Sequence, residues 1–318
     1  MNHLKSSHLL LFILLLFSLA LPGCASTAPA ATPASTAAPL PTAAPTTTPT
    51  LPVPSLQVER DMAYDETGGA DNLADVYYLA PIYPGEKRPA VMLIHGGGWQ
   101  AGSKEDFAGL ALLLVNEGYV VVSINYRLVH GDSNHFPAQL DDVQQAVRWI
   151  RHNAAKYGID PERVTAMGDS AGGHLAALLG VMDTRDDSDP ALPGYSSRAD
   201  CVVDLYGPVD LTSLNPRVPL NVLQVVTQLI GQPYGDAPDL YRQASPIFRI
   251  DERTSPFFIA HGDQDLTVPV EQSRRLYLTL QEAGVKAEYL ELEGQGHGFT
   301  GEANERFIEA MLSYLEGC

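Results

Sequence analysis

The chain has 318 residues, with 38 acidic against 20 basic side chains and a formal net charge of −18. A surface that acidic argues against nucleic acid or anionic lipid as a ligand and says little about a neutral ester. Only three cysteines occur, Cys24, Cys201 and Cys318, at no metal-type spacing.

Residues 1–23 read as an export leader. Lys5 is the one cation near the start, and Leu9–Leu21 is a 13-residue, predominantly apolar run. That run is short for a membrane span and suits a signal core. It ends in Leu21-Pro22-Gly23-Cys24, which resembles a bacterial lipoprotein cleavage box. The resemblance implies lipidation of Cys24 and attachment of an exported protein to a bacterial membrane through that lipid. An ordinary signal peptide with a chance cysteine is the alternative.

Residues 24–55 are almost entirely Ala, Thr, Pro and Ser, and no charged residue falls between Lys5 and Glu59. Such a segment buries too little apolar area to offset its conformational entropy, so a disordered tether is expected. Its prolines favour an extended form of ~3 Å per residue. Residues 56–318 then suffice for one large domain.

Within that domain, strands are expected at 56–64, 73–80, 90–95, 119–124, 163–167, 201–206, 256–261 and 287–292. Runs such as Val91-Met92-Leu93-Ile94 and Val120-Val121-Val122 are apolar throughout. Strands of that kind are covered on both faces, as in a parallel sheet between helices. Helical spacing marks 104–117, 138–157, 171–182, 217–230, 269–283 and 303–316, with Gly118 and Gly284 where C-caps belong. The pattern predicts an α/β fold: a mostly parallel, eight-stranded sheet with helices on both faces and an antiparallel start. The long excursion 207–255 is expected to shape one wall of a substrate pocket.

Function in such sheets collects at the carboxyl ends of the strands. The loop after 90–95 carries His95-Gly96-Gly97-Gly98-Trp99, and the one after 163–167 carries Gly168-Asp169-Ser170-Ala171-Gly172. The loop after 256–261 carries His261-Gly262-Asp263-Gln264-Asp265, and the one after 287–292 carries Gly296-His297-Gly298. Acyl transfer through serine needs a nucleophile, a base, an acid that orients the base, and oxyanion donors. Ser170, His297 and Asp265 fit the first three, in the chain order Ser, Asp, His. The backbone amides of Gly97, Gly98 and Ala171 fit the fourth. Asp263 is the rival acid, and His261 and His174 are rival bases. His95 is expected to pin the oxyanion loop, Asp169 to stabilise the turn, and Tyr126 and Arg127 to pack and anchor. Trp99 is a candidate substrate contact. Asp183, Asp186, Asp187 and Asp189 lack the glycine of a calcium loop and read as a solvated acidic loop, so no metal is expected.

These motifs, with Asn125-Tyr126-Arg127-Leu128, Tyr157-Gly158-Ile159-Asp160-Pro161, Tyr206-Gly207-Pro208-Val209-Asp210 and Val268-Pro269, span nearly the whole domain in order. Together they resemble α/β-hydrolase serine esterases of the hormone-sensitive-lipase-like and feruloyl/acetylxylan-esterase-like (BD-FAE-type) branches. The resemblance implies a carboxylic-ester hydrolase that uses those triad residues and no cofactor. Its substrate would be a small-molecule or polysaccharide-borne ester of short-chain, acetyl or feruloyl type. The N-terminal helical cap of larger lipase-like members is missing here, which argues against bulky lipid substrates. Two rivals stand beside this reading: a serine peptidase of the prolyl-oligopeptidase type, and a non-catalytic surface-binding lipoprotein. Cys201 precedes a strand and Cys318 ends the last helix, positions that share the bottom edge of such a sheet. A Cys201–Cys318 disulfide is therefore expected in an exported protein.

Overall fold

The computed structural model describes residues 53–65, 69–186, 188–213 and 220–318. The leader, Cys24, most of the tether, Asp187 and the first turn expected at 217–219 lie outside the described residues. Eight strands form one sheet: β1 (Ser55–Ala63), β2 (Leu73–Ala80), β3 (Arg88–Ile94), β4 (Val120–Ile124), β5 (Ile159–Asp169), β6 (Cys201–Leu205), β7 (Phe257–Gly262) and β8 (Ala287–Leu292). Their order is β1-β2-β4-β3-β5-β6-β7-β8. The β1–β2 and β2–β4 pairings are antiparallel, and every pairing from β4–β3 onward is parallel.

The helices are α1 (Ala108–Asn116), α2 (Ala138–His152), α3 (Ala154–Tyr157), α4 (Ala171–Val181), α5 (Leu220–Ile230), α6 (Pro238–Gln243), α7 (Glu271–Glu282) and α8 (Gly301–Glu316). Strand alternation divides the core in two. Ala90, Met92 and Ile94 of β3 face the layer built by α2, α4, α5 and α7. Val91 and Leu93 face the layer built by α1 and α8. This two-sided burial is why the central strands read as unbroken apolar runs.

Two expected helices differ from the periodic reading. The segment 104–117 opens as a 3-10 turn over Lys104–Phe107 before α1 begins. Its first backbone groups bond to β4 instead of continuing a helix: the Lys104 N–H donates to Asn125 Oδ1 (2.8 Å), and the Ser123 hydroxyl donates to the Lys104 carbonyl (2.7 Å). The segment 138–157 is interrupted at Asn153, whose side-chain amide donates back to the Trp149 carbonyl (2.9 Å) and closes α2. Side-chain competition of this kind is how Asn ends helices.

At the edge where β6 starts and α8 ends, Cys201 and Cys318 are joined by a disulfide with a Cα–Cα distance of 6.1 Å. The opposite edge carries the loops that follow β3, β5, β6, β7 and β8. Among the described residues, no helix is long and apolar enough to cross a membrane.

Candidate active site

Ser170 stands on a sharp turn between β5 and α4, with φ 51° and ψ −115°. Backbone in that region is strained for a residue with a Cβ and persists only where the surroundings fix it. Here the Ser170 N–H donates to the Leu205 carbonyl (2.8 Å), and the Ser170 carbonyl accepts the His174 N–H (3.0 Å). The two flanking glycines are required by space. A Cβ on Gly172 would lie 1.9 Å from the Ile94 carbonyl oxygen, and one on Gly168 would lie 2.4 Å from the Gly172 backbone.

The structure brings together the three side chains singled out in the sequence. His297 Nε2 lies 2.8 Å from Ser170 Oγ, and His297 Nδ1 lies 2.6 Å from Asp265 Oδ2. Asp265 Oδ1 accepts the N–H groups of Thr267 (2.7 Å) and Val268 (3.0 Å). Burial pushes the Asp265 carboxyl upward, but the donors His261, His297 and Val268 outweigh it and hold the group well below the usual carboxylate range. An ionised carboxylate fixes an imidazole with its proton on Nδ1, leaving Nε2 free to accept a proton from a serine hydroxyl.

Gly97, Gly98, Trp99, Ser170, Ala171 and His297 all line one cleft of about 320 Å³. Gly97 and Gly98 have φ of 97° and 62°. Ala171 opens α4, so its N–H has no acceptor within the helix. Tyr126 holds the loop that carries the two glycines. Its buried hydroxyl donates to the carbonyls of His95 (2.9 Å) and Gly96 (3.3 Å), and its ring stacks on His95 at 4.3 Å. Asp169 supports the same loop through the Gly96 N–H, and burial raises its carboxyl against that bond.

The family model BD-FAE matches residues 75–280. The chain belongs to the BD-FAE family of α/β-hydrolase serine esterases. Esterase LipQ of Mycobacterium tuberculosis is 36% identical over 258 residues, which cover 78% of this chain and 60% of LipQ. This chain therefore spans less than two thirds of that curated relative. A truncated carbohydrate esterase from gut microbiota superposes with a TM-score of 0.71 at 29% identity, over 82% of this chain and 95% of that one. The butyrate-bound esterase Est2 of Thermogutta terrifontis superposes with a TM-score of 0.69 at 27% identity, over 82% and 94%. The BD-FAE domain of this chain is a carboxylesterase-type serine hydrolase.

Neither the rival acid Asp263 nor the rival base His174 joins the Ser170–His297–Asp265 chain. Asp263 accepts the Gly294 N–H (2.7 Å), bracing the loop that leads to His297. His174 is fully buried and bonded through Nε2 to the Ala244 carbonyl (2.7 Å); burial pushes its imidazole down to about 4. His95 bonds the Gly96 carbonyl through Nδ1 (2.8 Å). Arg127 pairs with the buried Asp142 at 2.6 Å, tying the end of β4 to the start of α2. Asp183 pairs with Arg198 and Arg253, while Asp186 and Asp189 accept backbone N–H groups of their own loop. Among the described residues, no group of three or more His, Cys, Asp or Glu side chains is placed to hold a metal ion.

Tyr126 anchors a loop as expected, but the partners in three contacts were not foreseen from the sequence. Tyr206, at the end of β6 with φ 46°, lays its ring 4.7 Å from that of His297. His261 reaches Asp265 as well as backbone. The Tyr126 hydroxyl bonds carbonyls some 30 residues back in the chain. The one available signal was position, since each of the three residues lies at or just past the carboxyl end of a strand. The excursion 207–255 supplies Pro208, Val222, Val225 and Val226 to the cleft, which Val268 and Pro269 also line. Trp99 packs edge-on against His174, and its buried indole N–H has no hydrogen-bond partner among the described residues.

Proposed function

We propose that this chain hydrolyses short-chain carboxylic esters through Ser170, His297 and Asp265. The observation that carries the reading is the continuous hydrogen-bond chain Ser170–His297–Asp265, whose Ser170 and His297 line the cleft. Ser170 Oγ attacks the ester carbonyl carbon as its proton passes to His297 Nε2. The carbonyl oxygen takes up negative charge facing the amides of Gly97, Gly98 and Ala171, where one donor is worth ~3 kcal/mol. The imidazolium then protonates the leaving alcohol, and the carbon–oxygen bond breaks to give an acyl-serine. Water, deprotonated by the same imidazole, cleaves that ester and restores the serine. Asp265 keeps the proton on Nδ1 throughout and stabilises the imidazolium.

The cleft supports a small substrate. It holds about 320 Å³, and Pro208, Val222, Val225, Val226, Val268 and Pro269 give it an apolar lining. The solved relatives point the same way, one described as a carbohydrate esterase and one holding butyrate. Acetyl and short aliphatic esters, free or borne on a polysaccharide, are the proposed substrates. We further propose that the domain is exported and held to a membrane by lipid on Cys24 through the tether 24–55. The Cys201–Cys318 disulfide supports an oxidising compartment.

The test is a p-nitrophenyl ester series of increasing acyl length. Each methylene buried against the apolar lining adds ~0.8 kcal/mol, about fourfold in kcat/KM, until the cleft is filled. The account predicts a maximum at two to four acyl carbons, and a maximum moved to longer chains in Val225→Ala. A rate that keeps rising to long acyl chains in the unaltered protein would refute the short-chain reading.

A further inference from the structure

His261 is fully buried at the end of β7, and its ring is held at both nitrogens. Nε2 faces two acceptors, Val268 O at 2.9 Å and Asp265 Oδ2 at 3.2 Å. A nitrogen facing two acceptors must carry the proton. Nδ1 of the neutral ring then accepts from the Ser273 hydroxyl on α7, at 2.7 Å. The ring therefore ties β7, the turn 265–268 and α7 into one unit. Asp265 thus receives four donors, two on each oxygen: Thr267 and Val268 on Oδ1, His297 and His261 on Oδ2.

We propose that His261 is a positioning residue for the acid: its Nε2–H shares Asp265 Oδ2 with His297 and holds the carboxylate in the plane that the base requires. The inference rests on the assignment of Asp265 and His297 as acid and base. Sharing has a second consequence. A carboxylate oxygen that already accepts one N–H pulls less strongly on another, so His261 moderates the grip of Asp265 on the imidazolium. The other titratable and charged groups around the ring are Asp204 on β6, Glu291 on β8 (paired with Arg274) and Tyr206, whose ring centre is 6.2 Å away. None of these is a hydrogen-bond donor to Asp265 in the structure, so His261 is the side chain through which the effect passes.

The experiment compares His261→Phe, which fills the space without a donor, with His261→Gln, which retains one, and with Ser273→Ala. In His261→Phe, kcat should fall about 10–100-fold with KM nearly constant, because small misplacements at a reacting centre cost that much. The acid limb of kcat/KM should also move up by roughly half to one pH unit, as the freed carboxylate oxygen holds the imidazolium more tightly. His261→Gln should restore most of the rate and return the limb. Ser273→Ala leaves the ring in place and loses its Nδ1 partner; it should shift both readouts in the same direction by less, and serves if His261→Phe does not fold. An unmoved limb in a folded His261→Phe, or in Ser273→Ala if that is the only folded variant, would overturn the proposal, as would equal loss in the Phe and Gln variants. A failure of the underlying assignment reads differently: unaltered protein would not be labelled at Ser170 by a fluorophosphonate.

Discussion

Replacing Tyr126 with phenylalanine removes one oxygen atom and tests how the glycine loop is held. The hydroxyl is fully buried, 2.9 Å from the His95 carbonyl and 3.3 Å from that of Gly96. The Gly96 carbonyl keeps a second partner in His95 Nδ1, so the loss falls chiefly on His95 O. A buried carbonyl left without its donor costs about 1–3 kcal/mol. The ring should stay in place, because its stacking on His95 does not involve the oxygen. The unfolding midpoint should therefore fall by roughly 2–4 °C for each kcal/mol. Activity should fall further than stability implies. Residues 95 and 96 lead into Gly97 and Gly98, and complete loss of one oxyanion donor is worth ~3 kcal/mol. Partial displacement of two amides should lower kcat by about tenfold while KM holds, since the interaction develops only in the transition state. Thermal unfolding and steady-state kinetics on p-nitrophenyl acetate measure both. A Tyr126→Phe protein with lowered stability and unchanged kcat would show that this loop does not carry the oxyanion donors.

Two further outcomes follow from the same structure. The disulfide closes a span of 117 residues, for which chain entropy predicts ~4–5 kcal/mol and native bridges typically deliver about 2–5 kcal/mol. A Cys201→Ser, Cys318→Ser protein should lose that much unfolding free energy, read from a lowered urea midpoint, and keep its kcat, because the bridge lies at the edge away from Ser170. His174 provides a pH signature. Its folded value of about 4 lies below the unfolded value of about 6.5, so the unfolded chain takes up a proton that the native chain refuses. Stability from this group is complete above the unfolded value and is lost as pH falls through the folded one, by about 3 kcal/mol in total. Asp204, pushed up to about 6 by burial, acts with the opposite sign over part of the same range. The His174 contribution should therefore be read as the gap between unaltered protein and His174→Gln, which should narrow between pH 7 and pH 4 in urea melts. A constant gap would contradict it.

Much of the fold was legible because both-face burial writes itself into composition. The runs Ala90–Ile94, Val120–Val122 and Val202–Val203 in β3, β4 and β6 are apolar on both faces, each face meeting one helical layer. The loops bearing Ser170, Asp265 and His297 could be placed from strand positions alone, since each follows a strand of one parallel sheet. That their atoms meet at 2.6–2.8 Å is a property of the folded chain. The helix breaks at 104–107 and 153 escaped periodicity because hydrogen bonds to β4 and from an asparagine side chain decide them. The supporting contacts were equally hidden. Tyr126, Tyr206 and His261 act across strand neighbours distant in sequence, and nothing local distinguishes a tyrosine that braces a carbonyl from one that fills space. His261, a rival base by its strand-end position, has the acid itself, four residues on, as one of its acceptors, a contact that position alone does not reveal.

In the proposed mechanism Ser170 is a nucleophile activated by His297. A fluorophosphonate probe, followed by peptide mass spectrometry, tests it most directly. The account predicts a single adduct on Ser170 in the unaltered protein, no adduct in Ser170→Ala, and labelling slowed by about a thousandfold or more in His297→Ala, in line with the loss of a triad base. Adduct on another residue, or a Ser170→Ala protein that hydrolyses p-nitrophenyl acetate at the unaltered rate, would contradict it.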